Sequence, residues 1–261
     1  MTDQVLFQMC SRRRADLIGK HQFYVDQAKL RLITQFAEGD IQAEADREGE
    51  KFLDDNQSRF NPEVHDGSEF FEMAGDVRDE RYQLLAGMRD NIRLSIVSGF
   101  FHEWEKNLRQ WLVNEVQHWH HGDVTKAHIW KRNLVGLFDL LESFGWVLRS
   151  SAFFQDLDAC RLVVNVYKHG DGPSLTELAN SYPQFLEDPL GGMCGEIGDG
   201  FFSPSYEHLK VTDENLEAFS AAIIEFWREV PESVFDCQIT EPPSWLIKAI
   251  EKDDNKKEQS K

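Results

Sequence analysis

The residues of this sequence best suited to chemistry lie in the segment 158–172, at the end of an apolar stretch. If this segment is helical, one stripe carries five polar residues: Asp158, Arg161, Asn165, Lys168 and His169. Arginine and lysine bind phosphate, an amide orients it and histidine transfers a proton, which together are what RNA cleavage without a metal requires. A structural interpretation is equally open, because the same side chains could cap the helix and bond to a neighbouring one. Spacing alone does not choose between the two.

Residues that favour the end of one helix and the start of the next follow this stripe. Gly170 stands where a helix would stop, a position that favours a residue with positive φ. Gly172 and Pro173 then break the chain, and Ser174 with Glu177 predicts a capping box that begins the next helix. The cationic tip of the first helix should therefore be fixed on both sides.

The motif resembles that of the HEPN superfamily, helical bundles that include many bacterial toxin and defence ribonucleases. The resemblance covers roughly residues 85–230. It rests on these residues: Arg161, Asn165 and His169, and Trp104-Glu105 and Leu108-Arg109 on an earlier amphipathic helix. The family typically has an Arg, often followed by a polar residue, and a His after a further four to six residues. Here seven residues separate Arg161 from His169, and Asn165 does not directly follow the arginine. The string from Leu162 to Ser174, with its Asn-x-x-Lys-His-Gly-x-Gly core, also resembles uncharacterised bacterial proteins.

The resemblance implies a metal-independent endoribonuclease of toxin or antiviral defence type, with no cofactor. Arg161 would hold the scissile phosphate, His169 would move the proton of the 2′-hydroxyl or leaving group, and Asn165 and Lys168 would orient and neutralise the phosphate. HEPN sites are commonly built from two motif helices across a twofold axis, which implies a homodimer acting on an RNA substrate. Such a toxin needs control, by an acidic arm of the chain or by a separate antitoxin.

A second class of function remains open, namely a non-catalytic interaction or scaffold subunit, or an inhibitor, built on the same bundle. The net charge of −18 repels nucleic acid over long range and argues against a general nucleic-acid binder. It equally fits a protein that docks a basic partner. The seven-residue spacing of the motif also favours this alternative.

Composition places the chain among globular, cytoplasmic proteins. Hydrophobic residues make up 41% of its 261 residues, enough for a substantial core, and no stretch approaches 18 uncharged apolar residues, so no membrane association is expected. The cysteines are scattered without a CxxC pair, which is typical of reduced thiols.

Four histidines cluster at a helix–loop junction: His118, His120, His121 and His128. Residues that are neighbours in sequence point apart on a helix, so ordinary packing is favoured over a metal site.

The expected fold is all-α, a HEPN-like bundle with a long N-terminal helical arm and one minor strand pair. We predict three parts: a helical arm over 1–66, the bundle over 67–231, and a C-terminal extension over 232–261.

Individual elements are predicted as follows. Periodicity indicates helices over 22–58, 69–79 and 80–119, and the last of these is predicted to be the main core helix. A further helix is predicted from the N-cap Thr212 to Glu229. A short strand is predicted over 206–211, and a two-turn helix over 243–250 is followed by a tail from Asp253 that should be disordered. If Glu105 is buried in the bundle, Arg161 is its expected partner.

Overall fold

The computed structural model describes residues 4–59, 67–187 and 204–259. Within these ranges the fold is almost entirely helical with one two-stranded sheet, which confirms the predicted all-α class. The helices are α1 (Ser11–Ala28), α2 (Glu38–Asn56), α3 (Gly67–Trp119), α4 (Asp123–Lys131), α5 (Leu134–Glu142), α6 (Phe154–His169), α7 (Pro173–Ser181), α8 (Asp213–Glu229) and α9 (Ser244–Gln259). The strands are β1 (Val5–Gln8) and β2 (Ser233–Phe235), which pair antiparallel.

Helix α3 organises the rest of the fold. It runs for 53 residues without a break, so the separate helices predicted over 69–79 and 80–119 are wrong. The sequence across the predicted junction, Asp79-Glu80-Arg81, contains no glycine or proline to end a helix. Helix α2 also packs across the junction, where Arg81 Nε donates a hydrogen bond to Glu44 Oε1 at 3.1 Å.

The second half of α3 forms the centre of the hydrophobic core. Its apolar residues recur at three- and four-residue steps and are buried against α1, α5, α6 and α8. The indole of Trp104 stands edge-on to the ring of Phe226 in α8, with centroids 5.1 Å apart. Thr212 begins α8 as predicted, since its Oγ1 accepts a hydrogen bond from the amide of Asn215.

The first half of α3 pairs with α2 in an antiparallel hairpin, which we call the arm hairpin (38–56 and 67–93). Phe52 stacks near Phe70 at a centroid distance of 6.0 Å, and Arg89 Nη1 lies 2.6 Å from Glu38 Oε2. Ala74 is the one buried residue of α3 before Leu94, and it lies outside the main hydrophobic cluster. The arm hairpin therefore packs mainly on itself.

The helix predicted over 22–58 is wrong, because it is interrupted between α1 and α2. Residues Lys29–Ile33 form a π-helical turn and Thr34–Phe36 a 3-10 turn, after which Ala37 is extended. The interruption redirects the chain so that α1 packs on α8 while α2 packs on α3.

The strand pair joins the N-terminal segment to the segment that follows α8. Phe7 of β1 is buried and packs against Phe144, with ring centroids 4.1 Å apart.

Helix α9 continues to Gln259, so the tail predicted to be disordered is helical over 253–259. Asp253, the predicted start of that tail, is buried against α4.

Two further segments differ from their prediction or lie outside the described ranges. The strand predicted over 206–211 is instead a 3-10 turn at Tyr206–His208 followed by a single β-bridge between Leu209 and Leu186. Residues 60–66, which include the predicted boundary between arm and bundle, are outside the described residues, so that boundary stays a prediction. In the described part of the chain, every helix is too short or too polar to cross a membrane.

Candidate functional site

Arg161 lies on the buried side of α6, between two carboxylates. Its side chain donates from Nε to Asp158 Oδ1 at 2.7 Å and from Nη2 to Glu177 Oε1 at 2.8 Å, and the residue is 8% exposed. Burial alone would lower the pKa of Arg161, but the hydrogen bonds and charges of the two acids outweigh it and the pKa is raised. The guanidinium is therefore held as a fixed, neutralised cation that links α6 to α7.

Tyr182 extends this cluster. Its hydroxyl donates to Asp158 Oδ2 at 3.2 Å. Burial and the neighbouring carboxylate of Asp158 raise the pKa of Tyr182 to about 12, so the phenol stays protonated and remains a donor. Both oxygens of Asp158 are thus engaged within the fold.

The capping box predicted at Ser174 and Glu177 is wrong. Helix α7 begins at Pro173 after Gly172, without a hydrogen bond from a capping side chain. Glu177 instead binds Arg161, and this contact takes the carboxylate that a capping box would require.

The predicted pairing of Glu105 with Arg161 is also wrong. Glu105 accepts from Arg109 Nε at 3.0 Å, one helical turn away on α3. Arg109 in turn donates from Nη1 to the carbonyl of Ile129 at 2.6 Å, so it ties α3 to α4. Arg109, a buried arginine one turn away, therefore balances the negative charge of Glu105.

The other polar residues of the motif lie towards the open end of α6. Asn165 is half-buried, and Lys168 and His169 are exposed in the last turn. Among the described residues, neither the side chain of Lys168 nor that of His169 makes a hydrogen bond or ion pair. Gly170 ends the helix with φ of 68°, as predicted. The motif thus divides into an enclosed Arg161 and an exposed Lys168-His169 tip, and its catalytic assignment stays a prediction.

The histidine cluster has a structural role at one position. His120 Nε2 lies 3.4 Å from Asp253 Oδ2, and the same carboxylate accepts from the amides of Val124 and Thr125 at 2.9 and 2.8 Å. Although burial would raise it, the pKa of Asp253 is lowered to about 2 by these hydrogen bonds. A carboxylate from α9 therefore caps the first turn of α4. Within the described residues, no three histidine, cysteine or acidic side chains are grouped so as to hold a metal ion.

Sequence reasoning missed a cavity of about 770 Å³ between α1 and α3, which we call the α1 groove. Its floor is formed by buried residues: Leu17, His21, Ala28, Phe100, Trp104 and Trp227. Its outer wall carries exposed residues of α1 and the π-helical turn: Phe23, Tyr24, Arg31 and Leu32. The sequence signal for it is the run Phe23-Tyr24-Val25 in α1, because three consecutive residues of a helix cannot all face the core.

His21 closes the floor of the α1 groove in its neutral form. Its Nε2 lies 2.9 Å from Ser220 Oγ of α8. Burial lowers the pKa of His21 to about 4, and hydrogen bonding with the backbone of Ser220 opposes this shift only partly. The imidazole therefore adds no positive charge to the floor at neutral pH.

The arm hairpin presents a second unusual surface. Four large apolar side chains of α3 are exposed there: Met73, Leu84 and Met88, which share one face of the helix, and Phe71, which points to another side. They are surrounded by charge, because residues 38–56 and 67–93 contain fourteen carboxylates and six cations, a net charge of −8. This surface combines apolar side chains with an acidic setting.

Searches against protein-family models, curated proteins and solved structures find no match to this chain. The resemblance to the HEPN superfamily accordingly stays a prediction.

Proposed function

We propose that this protein is a non-catalytic interaction subunit, whose arm hairpin docks a protein partner with a basic and partly apolar surface. The observation that carries the proposal is the exposure of large apolar side chains on the arm hairpin. Leu84 is 62% exposed and Met88 54%, and they stand one turn apart on the same face of α3.

Such a surface has the two components of a protein interface. Exposed apolar side chains that lie together mark sites of association, since contact removes their surface from water. The net charge of −8 on the arm hairpin attracts a basic partner and excludes acidic ones. Apolar contact would supply affinity, and charge would select the partner.

The environment of Arg161 favours this class over the ribonuclease. A phosphate at Arg161 would have to displace Asp158 or Glu177, and hydrogen bonds to charged groups typically contribute about 1.5–3 kcal/mol each. The two carboxylates also repel an incoming phosphate. Arg161 accordingly suits the joining of α6 to α7 better than the binding of RNA.

Site-specific photo-crosslinking in cells tests the proposed interface. A photoreactive phenylalanine analogue replaces Met88 in one variant and Val147 in a control, which is also apolar and is 67% exposed but lies outside the arm hairpin. We expect a discrete adduct at position 88 that is lost when Leu84 is also changed to Ser. The absence of any discrete adduct at 88, or the same adduct from 147, would contradict the proposal.

The second candidate is the metal-independent ribonuclease, and the exposed Lys168-His169 tip is the observation that favours it. The purified chain is incubated with total RNA in the presence of a chelator, beside His169→Ala and Arg161→Ala. The interaction subunit predicts no cleavage by any of the three. Cleavage by the wild type that disappears in both variants would replace our proposal with the ribonuclease.

A further inference from the structure

The α1 groove has the size and wall chemistry of a small-molecule site. Its volume of about 770 Å³ falls within the range of ligand cavities, about 300–1,000 Å³. The floor contains the rings of Phe100, Trp104 and Trp227, which are held rigid by the core. A rigid aromatic floor binds an apolar body without first having to be ordered.

The outer wall is shaped by two local features of the chain. The ring of Tyr24 lies over α3 at Gly99, where a Cβ atom would collide with the tyrosine hydroxyl. The π-helical turn Lys29–Ile33 follows α1 directly and places Arg31 and Leu32 along the groove. π-helical turns occur frequently at functional sites.

Charge at the mouth of the groove is uneven in a way that points to an anion. Two charged lining residues are already paired: Lys20 Nζ lies 2.7 Å from Asp16, and Glu103 lies 2.7 Å from Lys106 Nζ. Arg31 donates from Nε to the neutral amide of Gln27 at 2.9 Å, and no carboxylate in the described part of the chain pairs with it. An uncompensated guanidinium is left at the edge of an apolar cavity, in a chain whose net charge is −18.

We infer that the α1 groove binds a small apolar monoanion of the size of a medium-chain carboxylate. The apolar body lies on the aromatic floor, and the anionic head faces Arg31, whose planar guanidinium suits a carboxylate. This site does not depend on the arm hairpin, so it stands or falls separately from the proposed function.

Titration calorimetry on the full-length protein tests the site with three probes of equal chain length, kept below their aggregation concentrations: decanoate, decanol and decyltrimethylammonium. We expect saturable binding of one decanoate, about fivefold tighter than decanol and tighter still than the cation. Absence of saturable decanoate binding, or equal or tighter binding of the cation, would overturn the inference.

Two matched pairs of variants separate charge from apolar contact. Arg31→Gln should weaken decanoate about fivefold and leave decanol unchanged, whereas Arg12→Gln, an exposed arginine of α1 outside the groove, should change neither. Leu32→Ser should weaken both probes, and Leu30→Ser, exposed beside it but not lining the groove, should weaken neither. All four positions are at the surface, so folding is not at risk. Equal effects within either pair would show that the probes bind elsewhere and would refute the site.

Discussion

The two halves of α3 belong to one continuous helix but are stabilised in different ways. From Leu94 onwards its apolar face is buried in the core, around Trp104 and Leu108. Over 67–93 only Ala74 of α3 is buried, and α2, which packs on this half, buries Ile41 and Ala45. Exposed ion pairs and a pair of phenylalanines complete the contact between the two helices. Both halves are helical, but burial determines which half contributes most of the folding stability and which half stays exposed.

The largest expected effect separates the two halves directly. Trp104→Ala should lower the free energy of unfolding by about 3–5 kcal/mol, because it empties a fully buried site among aromatic rings. Leu84→Ala, on the arm hairpin, should change it by less than about 0.5 kcal/mol. Urea unfolding followed by circular dichroism measures both, and similar losses would refute the division.

The packing around the half of α3 that begins at Leu94 should also lose stability in acid through His21 of α1, which packs edge-on to Phe100 of α3. The pKa of His21 is about 4 in the fold and near 6.5 when unfolded, so below pH 6.5 protons bind the unfolded chain more readily. Stability should fall as the pH is lowered from 6.5 towards 4, by at most about 3 kcal/mol. His21→Gln should flatten this part of the pH–stability curve, and an unchanged slope would show that other groups cause it.

A smaller effect is expected where α9 meets α4, just beyond the core end of α3. Asp253→Ala should cost about 1–3 kcal/mol, because buried backbone amides lose their acceptor. The exposed neighbour provides the control, and Asp254→Ala should be nearly neutral.

The sign of the pH dependence at Asp253 also follows from the structure. Its pKa is lowered to about 2, so its contribution is complete above about pH 4 and is lost as the pH falls towards 2. Asp253→Asn should remove this dependence. The same steep loss in the Asn variant would exclude Asp253 as its source.

The smallest expected effect lies on the arm hairpin. Glu44→Gln removes the ion pair with Arg81, and both side chains are more than one-third exposed, so the change in stability should stay below about 1 kcal/mol and shrink in 1 M salt. Hydrogen exchange of α2 amides measures the local effect. A large, salt-independent loss would mean that the arm hairpin is stabilised as the core is.

The features that sequence reasoning predicted correctly are those set by neighbours along the chain. The core face of α3 from Leu94 onwards follows from apolar spacing, but the same spacing wrongly predicts core positions at Leu84 and Met88, which are exposed. The end of α6 and the start of α8 follow from Gly170 and Thr212, whose backbone preferences act locally.

The features it missed depend on residues distant in sequence. Asp253 caps a helix that begins about 130 residues earlier, and no local signal marks it. The sequence predicts that Glu177 caps its own helix, but in the fold it accepts a hydrogen bond from Arg161 of α6. The α1 groove exists only once α1 and α3 are packed together, so the candidate anion site could not be derived from the motif on α6.

The unbroken course of α3 has a mechanical consequence. At 1.5 Å per residue its 53 residues make a rod about 80 Å long, with Phe71 near one end and Phe100 and Trp104 beyond its midpoint. A helix without proline or an interrupted turn bends only gently, so it acts as a lever between these places. A protein bound to residues 67–93 would therefore also orient the part of α3 that forms one wall of the α1 groove.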